Sequence, residues 1–239
     1  MNQILIVGCG GVASYLLPPL YRTISHTHRL KRAKLALLDG DTLEDRNLDR
    51  QQFSIEAVGK NKAEALAGRI DPDGDRTTVI PSYLYPGMPW PEEFRPNRRT
   101  CVIVLVDNHA ARRNALALVD DERCSSCIIA ANEAESAESY VYLPQWKGTP
   151  LDPRVRVPAI LTDNSDDPVH PEGCTGNAAL DAAPQTAHAN FIAASFASLL
   201  FCAWQIKGVG LGPTFFEHLP AHIYAGPFFT ETKTVAQLS

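Results

Sequence analysis

Three short apolar runs in this chain each end directly in glycine or in acidic residues, and this feature limits the folds open to the chain. Ile4–Val7 leads into a glycine turn, while Lys34–Leu38 and Cys101–Val106 each end at an aspartate. Each run is too short for a helix and has no alternation, which is typical of strands buried on both faces of a parallel sheet. Ligands of such sheets bind beyond the carboxyl ends of the strands. The pattern therefore predicts a site at that edge.

Segments with helical spacing separate these runs. Apolar residues recur at helical intervals over Val12–His26, and we expect Pro18 and Pro19 to kink or interrupt that helix. The remaining elements expected in this half are helices over 61–70 and 110–123 and strands over 77–80 and 127–131. Strands that alternate with helices predict a doubly wound α/β fold with a mostly parallel, Rossmann-like sheet.

The second half of the chain is less regular. We expect an edge strand at Tyr140–Leu143, an irregular crossover loop over 145–183, a helix from about Pro184 to Ile206, and short strands within 215–234. The chain of 239 residues is interpreted as a single domain, 1–239, with a nucleotide-binding core over 4–132 and a C-terminal helix and strands over 184–239.

Composition excludes several classes of protein. A net charge of -5 argues against a protein that coats nucleic acid, and six cysteines are too few for a disulfide scaffold. Gln185–Ile206 has no charged residue, but its first half is too polar for a membrane span, which favours a buried helix. Because the chain opens without a secretory signal, we expect a cytoplasmic protein with no membrane or nucleic-acid partner.

The glycine turn and the acid after the second strand suggest a nucleotide site. Gly8, Gly10 and Gly11 would allow a tight turn that leads into a helix N-terminus, which offers N–H donors to phosphate. Ala13 stands where the dinucleotide pattern has a third glycine, and the alternative is a turn that only packs helix on sheet. Asp39 lies where such folds bind ribose hydroxyls, the alternative being a capping or solvated acid.

Two cationic residues and a further acid favour a triphosphate site over the dinucleotide site of a hydride-transfer enzyme. Arg50, beside Gln51, and Lys62 could neutralise a triphosphate, which a hydride-transfer enzyme does not need at this place. Each alone could equally be a solvated surface residue. Asp107, at the end of the most apolar strand, could hold Mg²⁺ together with substrate phosphates, the alternative being an Asx turn.

Taken together, these residues match a known pattern. The matching segments are in register along roughly residues 4–132: Gly8-x-Gly10-Gly11, Asp39-x-Asp41, Arg46 to Gln51, Gly59 to Ala63, and Asp107-Asn108 with Arg112. The sequence resembles the ThiF/MoeB/ubiquitin-activating enzyme superfamily (HesA/MoeB/ThiF). Through Cys174–Leu180 and Asn190–Ala194 it is most similar to the ThiF-type protein of the PRTRC gene systems.

The resemblance implies an enzyme that binds ATP and Mg²⁺ and adenylates the C-terminal glycine carboxylate of a ubiquitin-like or sulfur-carrier protein, releasing pyrophosphate. It implies that Gly11 lies under the phosphates, that Asp39 holds the ribose and that Asp107 holds the metal. It also assigns phosphate contacts to Asn47, Arg50 and Lys62, with Gln51 behind them, and puts Asn108 beside the nucleotide. Asp41, Gly8 and Gly10 complete the predicted nucleotide site.

The resemblance leaves other features open. We expect a homodimer, but the family's N-terminal arginine, which reaches the partner's ATP, has no counterpart here. Only one Cys-x-x-Cys pair, Cys124 and Cys127, is present, so we do not expect structural zinc, which needs four ligands.

The function of Cys174 and the activity of the site also stay open. Cys174 lies in the predicted crossover loop and could accept the acyl group as a thioester, or could be a thiol buried beneath the loop. A catalytically degenerate nucleotide-binding module and a dinucleotide-dependent oxidoreductase remain as alternative functions.

Overall fold

The computed structural model describes residues 2–133, 136–163, 186–208, 217–226 and 230–238. Its centre is one sheet of eight strands in the order β3-β2-β1-β4-β5-β6-β7-β8. The strands are β1 (Gln3–Val7), β2 (Lys34–Leu38), β3 (Thr77–Ile80), β4 (Thr100–Val104), β5 (Ser126–Asn132), β6 (Ala137–Tyr142), β7 (Pro220–Ala225) and β8 (Thr230–Thr234). The first five strands are parallel, and the remaining pairs are antiparallel. The predicted α/β class is confirmed.

Helices cover the sheet. They are α1 (Gly11–His26), α2 (Lys62–Ile70), α3 (His109–Asp121), the short α4 (Pro153–Arg156) and α5 (Ala159–Thr162), and α6 (Ala187–Phe201), which continues as a π-helix over Cys202–Lys207. A final turn covers Val235–Leu238. The crossovers from β1 and from β4 run in opposite directions along the sheet, which puts α1 and α3 on opposite faces. The strand order reverses between β1 and β4, where such folds bind ligands.

The strands form where the apolar runs predict them because their side chains are buried on both faces. Ile4, Leu5, Ile6, Val102 and Ile103 are all fully buried. Register along β1 pairs Val7 with Leu38 on one side and with Val104 on the other. The ends of these three strands therefore lie side by side at one edge of the sheet, here called the carboxyl edge.

Two details of the sequence interpretation differ from the structure. Of the predicted kink or interruption at Pro18 and Pro19, the interruption does not occur, because helix α1 runs through both residues. Pro18 has no N–H for the carbonyl of Ser14, and that carbonyl instead accepts from Arg69 Nη1 at 3.4 Å. Strand β6 is not at an edge, because β7 pairs with it and β8 pairs with β7.

The charge-free segment forms α6 and its continuation. Ala187–Lys207 has 21 residues and is long and apolar enough to cross a membrane, but 50% of its apolar window is buried in the fold. Helix α6 packs on α1 and on β5, β6 and β7. This packing agrees with the interpretation of the segment as a buried core helix.

Candidate functional site

The glycine turn joins β1 to α1 at the carboxyl edge. Gly8 has a φ of 90°, and a Cβ at this position would lie 2.9 Å from Val106 Cγ1. Both features require glycine, since other residues avoid this conformation and could not approach the chain after β4 so closely. Helix α1 begins at Gly11 with Gly10 as its N-cap, and no acidic residue lies in its first turn. The first N–H groups of α1 are thus available to an anion at this edge.

Asp39 follows β2 and faces the glycine turn. Its Oδ2 accepts from Cys9 N at 2.6 Å, and its Oδ1 accepts from Asp41 N at 2.7 Å. Asp39 is 8% exposed, and burial raises the pKa of its carboxyl to about 6, although the charge of Lys62 acts in the opposite direction. The site thus holds an acid whose ionisation changes near neutral pH and whose remaining lone pairs can accept from hydroxyl groups.

Asp41, Lys62 and Tyr83 form a second contact group beside Asp39. Lys62, the first residue of α2, is positioned by its neighbour Asn61, whose side chain caps that helix. Lys62 Nζ donates to Asp41 Oδ2 at 2.7 Å, and the Tyr83 hydroxyl donates to Asp41 Oδ1 at 2.5 Å. Burial would raise the pKa of Asp41, but the charge and hydrogen bonds of Lys62 and the Tyr83 hydroxyl lower it below its usual value. Lys62 is therefore held beside the turn by an acid that stays ionised.

Tyr83 was not among the predicted site residues. Its ring covers Gly40, where a Cβ would lie 2.7 Å from the ring carbons. A glycine between two acids at a strand end is the sequence signal that could have indicated a close neighbour there. Because Tyr83 follows β3 after a turn and has no local pattern, nothing in the sequence identifies it as that neighbour.

The segment from Asn47 to Gln51 folds as a tight turn that leads to Gln52, which contacts the first turn of α1. Asn47 Oδ1 accepts from Glu44 N at 3.0 Å, so its oxygen caps the short helix Asp45–Asn47. Arg50 Nη1 donates to the Arg46 carbonyl at 3.2 Å. Gln51 is 7% exposed, and its Oε1 is buried without a hydrogen-bond partner in the described part of the chain. The Arg50 main chain is tied to α6 by a contact described below.

Asp107 and Asn108 follow β4 at the same edge. Asp107 is exposed, and Asn108 Oδ1 accepts from Ala111 N at 2.7 Å as the N-cap of α3. Arg112, buried in α3, donates from Nη2 to the Val106 carbonyl at 3.0 Å and so fixes the chain next to Asp107. Asp107 thus presents a carboxylate to solvent on a fixed backbone, while the Asn108 oxygen is used for capping.

The thiols of the described residues are not activated. The free cysteines Cys9, Cys101, Cys124, Cys127 and Cys202 all have a raised pKa, and burial is the largest cause in each case. Within the part of the chain that the structure describes, no group of three or more His, Cys, Asp or Glu residues could hold a metal ion. Cys174 lies outside the described residues.

Comparison with known proteins gives a family match and similar folds. The ThiF family model matches residues 1–119. A comparison with curated proteins finds no match. Among solved structures, PaaA is similar with a TM-score of 0.58 and 16% identity, covering 98% of this chain and 64% of its own. E. coli MccB with MccA has a TM-score of 0.61 and 17% identity over 98% of this chain and 63% of its own. E. coli MccB with ATP has a TM-score of 0.59 and 17% identity over 98% and 64%.

The family match and the fold agree. Residues 1–119 match the ThiF family, and the sheet and helices have the fold of the MccB and PaaA structures. The chain spans less than two thirds of the length of those two proteins. Identities of 16% and 17% make this a likeness of fold.

Proposed function

We propose that this protein adenylates the C-terminal carboxylate of a peptide or protein at the expense of ATP. The observation that carries the proposal is the composition of the carboxyl edge. A helix N-terminus at Gly11, a buried acid at Asp39 and an exposed acid at Asp107 follow three neighbouring strands. Lys62, at the start of α2, is held at the same edge by Asp41. This set matches the parts of a nucleoside triphosphate, with donors and cations for phosphates and a carboxylate for ribose hydroxyls.

The neighbours support the same chemistry. The ThiF family match and the fold shared with MccB, of which structures with ATP and with MccA exist, favour ATP and a peptide C-terminus as the two ligands. We further propose that the natural substrate is a ubiquitin-like or sulfur-carrier protein ending in glycine, as the resemblance implies. A homodimer and a PRTRC-type identity are proposed on the same basis, and a cytoplasmic location is proposed from the sequence.

The reaction would need little proton transfer. A carboxylate oxygen of the substrate attacks the α-phosphorus, the bond from that phosphorus to the bridging oxygen breaks, and pyrophosphate leaves with the electron pair. The attacking carboxylate is already ionised, so no general base is required. Lys62, Arg50 and the N–H groups of α1 would stabilise the phosphate charge as it moves to the leaving group. A thioester on Cys174 would be a later step, in which the thiol displaces AMP.

Magnesium fits this site in a limited way. Mg²⁺ is commonly bound by one or two carboxylates together with substrate phosphates and water. Asp107 is exposed at the strand end, and the described residues contain no larger acidic cluster that would form an all-protein cage. Asp107 would therefore hold the ion together with the phosphates, and the ion would neutralise their charge.

ATP–pyrophosphate exchange tests the proposal. Exchange is measured with a carrier protein ending in glycine and with the same carrier lacking that glycine. We expect exchange only with the intact carrier, and its loss in Arg50→Ala. Arg98→Ala is the matched control, because Arg98 is an exposed arginine before β4 at the opposite edge of the sheet. ATP binding without exchange for any carrier would instead support a degenerate binding module, and exchange unaffected by Arg50→Ala would contradict the site.

A further inference from the structure

Helix α6 carries one fully buried polar residue that contacts the proposed site. Asn190 is 0% exposed, although it lies in the first part of a helix made mainly of alanine, leucine and phenylalanine. Its Nδ2 donates to the backbone carbonyl of Arg50 at 3.1 Å, across a sequence separation of 140 residues. A side chain on the C-terminal helix therefore holds the backbone of a predicted phosphate-binding residue.

The same amide lies against the start of α1. A Cβ built on Gly11 would be 2.6 Å from Asn190 Oδ1. Gly11 is not one of the described glycines that have a positive φ. The close approach of Asn190 is therefore what requires glycine at this position. Asn190 thus fills the space between the first residue of α1 and the Arg50 backbone, and touches both.

The polarity of Asn190 is not explained by packing alone. Its Oδ1 is buried without a hydrogen-bond partner among the described residues, which costs free energy that an apolar side chain would avoid. Exchanging the amide oxygen and nitrogen would place an acceptor against the Arg50 carbonyl, so the orientation is determined by that carbonyl. Among the described residues, the side-chain amide of Asn190 makes its hydrogen bond to Arg50.

A second link holds the same segment to α1. Ser14 is fully buried, and its Oγ accepts from Gln52 N at 2.8 Å while donating to the Gly11 carbonyl at 2.6 Å. The segment 50–52 is therefore fixed to the first turn of α1 from two sides, by Ser14 from α1 itself and by Asn190 from α6.

From these contacts we infer that Asn190 is a positioning residue, which fixes the Arg50 backbone against the first turn of α1 so that both address one phosphate group. The inference rests on the proposed function, because it assigns Arg50 and α1 to the same ligand. If Asn190 has this function, α6 contributes to the site through a buried residue.

Amide hydrogen exchange tests this link without requiring activity. Asn190→Ala is compared with Gln205→Ala, since Gln205 is another buried amide of the same continuous helix and donates to Ser126 Oγ at 2.8 Å at the other edge of the sheet. Both variants should lower the Tm. Only Asn190→Ala should speed exchange over residues 47–52 and weaken ATP binding about tenfold, as loss of one hydrogen bond allows. Should Asn190→Ala fail to fold, Asn190→Ser enters the same comparison. Equal exchange over 47–52 in the two variants would overturn the inference.

A double-mutant cycle gives a second test, and this one needs no ligand. Gly11→Ala should displace the Asn190 amide and lower the Tm, and adding Asn190→Ala should recover part of that loss because the clash is removed. Strictly additive losses would contradict the packing on which the inference stands. If wild type bound no ATP, the proposed function would fail, while the exchange and Tm results would still decide whether Asn190 holds the Arg50 segment.

Discussion

Two polar clusters lie at opposite edges of the sheet, and their charges are arranged differently. At the carboxyl edge, Asp39 is buried with a pKa raised to about 6, and the side chain of Asp41 is 46% exposed although it binds Lys62. The second cluster, here called the Arg154 cluster, lies near the start of β5 and consists of Asp120, Tyr142, Lys147, Asp152 and Arg154. The buried charges of the Arg154 cluster are paired with one another, whereas the carboxyl edge combines a buried acid with partly exposed charges.

The Arg154 cluster satisfies its groups internally. Arg154 donates to Asp152 Oδ1 at 2.9 Å, to Asp120 Oδ2 at 2.8 Å and to the Tyr142 hydroxyl at 2.6 Å. The Tyr142 hydroxyl in turn donates to Asp120 Oδ1 at 2.6 Å. Burial opposes ionisation of Asp120, but these hydrogen bonds and Lys147 lower its pKa below the usual value. Charges that are matched in this way stabilise the fold and offer little to a ligand, whereas Lys62 and Arg50 at the carboxyl edge would, in the proposed function, bind an incoming polyanion.

The largest effect is expected in the Arg154 cluster. Arg154→Ala leaves two buried carboxylates without their main partner and should lower the free energy of unfolding by about 3–5 kcal/mol. Urea unfolding measures this, with Arg98→Ala as the exposed-arginine control. The ATP affinity of the folded variant should be unchanged. A variant as stable as wild type, or one that is stable but has lost ATP binding, would show that the two clusters are not separate in role.

A comparable loss, but of activity, is expected at the carboxyl edge. Asp107→Asn should reduce the rate of ATP–pyrophosphate exchange by about a hundredfold or more, since it removes the charge that would hold Mg²⁺ against the phosphates. The free energy of unfolding of Asp107→Asn should differ from that of wild type by less than about 0.5 kcal/mol, because Asp107 is exposed. Asp73→Asn, an exposed acid in the turn after α2, is the matched control. Full exchange activity in Asp107→Asn would remove this residue from the site.

The raised pKa of Asp39 predicts two pH dependences of opposite sign. The folded state keeps this proton to about pH 6, whereas the unfolded chain loses it near 3.8. The contribution of Asp39 to stability is therefore present below pH 3.8 and is lost as pH rises through about 6. ATP affinity should change the other way and fall about tenfold per pH unit below the folded pKa, because ribose hydroxyls need the ionised acceptor.

Asp39→Asn is the reference for both pH dependences. The difference between wild type and this variant isolates the titration of Asp39 from other acids and from ATP itself. Thermal unfolding and ATP titration between pH 4 and about 8 provide the two measurements. Parallel curves for wild type and variant would mean that Asp39 does not titrate in this range.

The smallest changes in stability are expected for two tyrosine variants, one in each cluster. Tyr83→Phe and Tyr142→Phe each remove a hydroxyl that donates to an aspartate, and each should cost about 1 kcal/mol of stability. Only Tyr83→Phe should change nucleotide binding, because Asp41 also holds Lys62. The two variants form a matched pair in differential scanning calorimetry and ATP titration. A change in ATP affinity in Tyr142→Phe alone would reverse the assignment of the clusters.

The local sequence pattern predicted the parallel strands of the sheet and most of the residues that follow them at the carboxyl edge. Apolar runs such as Ile4–Val7 fix buried strands, and parallel strands bring their following residues to one edge, so Gly11, Asp39 and Asp107 could be placed there. The match to the ThiF family lies over this part of the chain, residues 1–119. The functions assigned to these residues stay predictions.

Contacts between distant segments could not be predicted. Arg154 meets Asp120 across 34 residues and Asn190 meets Arg50 across 140, and neither pair has a local signature. The interior position of β6 was also missed, because its partner β7 follows only after α6 in the chain and no local pattern indicates that pairing. Pro18 and Pro19 were expected to kink or interrupt α1, and the sequence does not show that Arg69 supplies a donor to the Ser14 carbonyl.

ATP binding by wild type, Arg50→Ala and Tyr142→Phe tests the central claim most directly, which is that the carboxyl edge is a triphosphate site. Titration calorimetry with ATP and Mg²⁺, repeated with NAD⁺, gives the affinities without needing the protein substrate. The account predicts saturable ATP binding by wild type and by Tyr142→Phe, loss of that binding in Arg50→Ala, and no comparable affinity for NAD⁺. Binding of NAD⁺ as tightly as ATP, or equal ATP affinity in all three proteins, would contradict it.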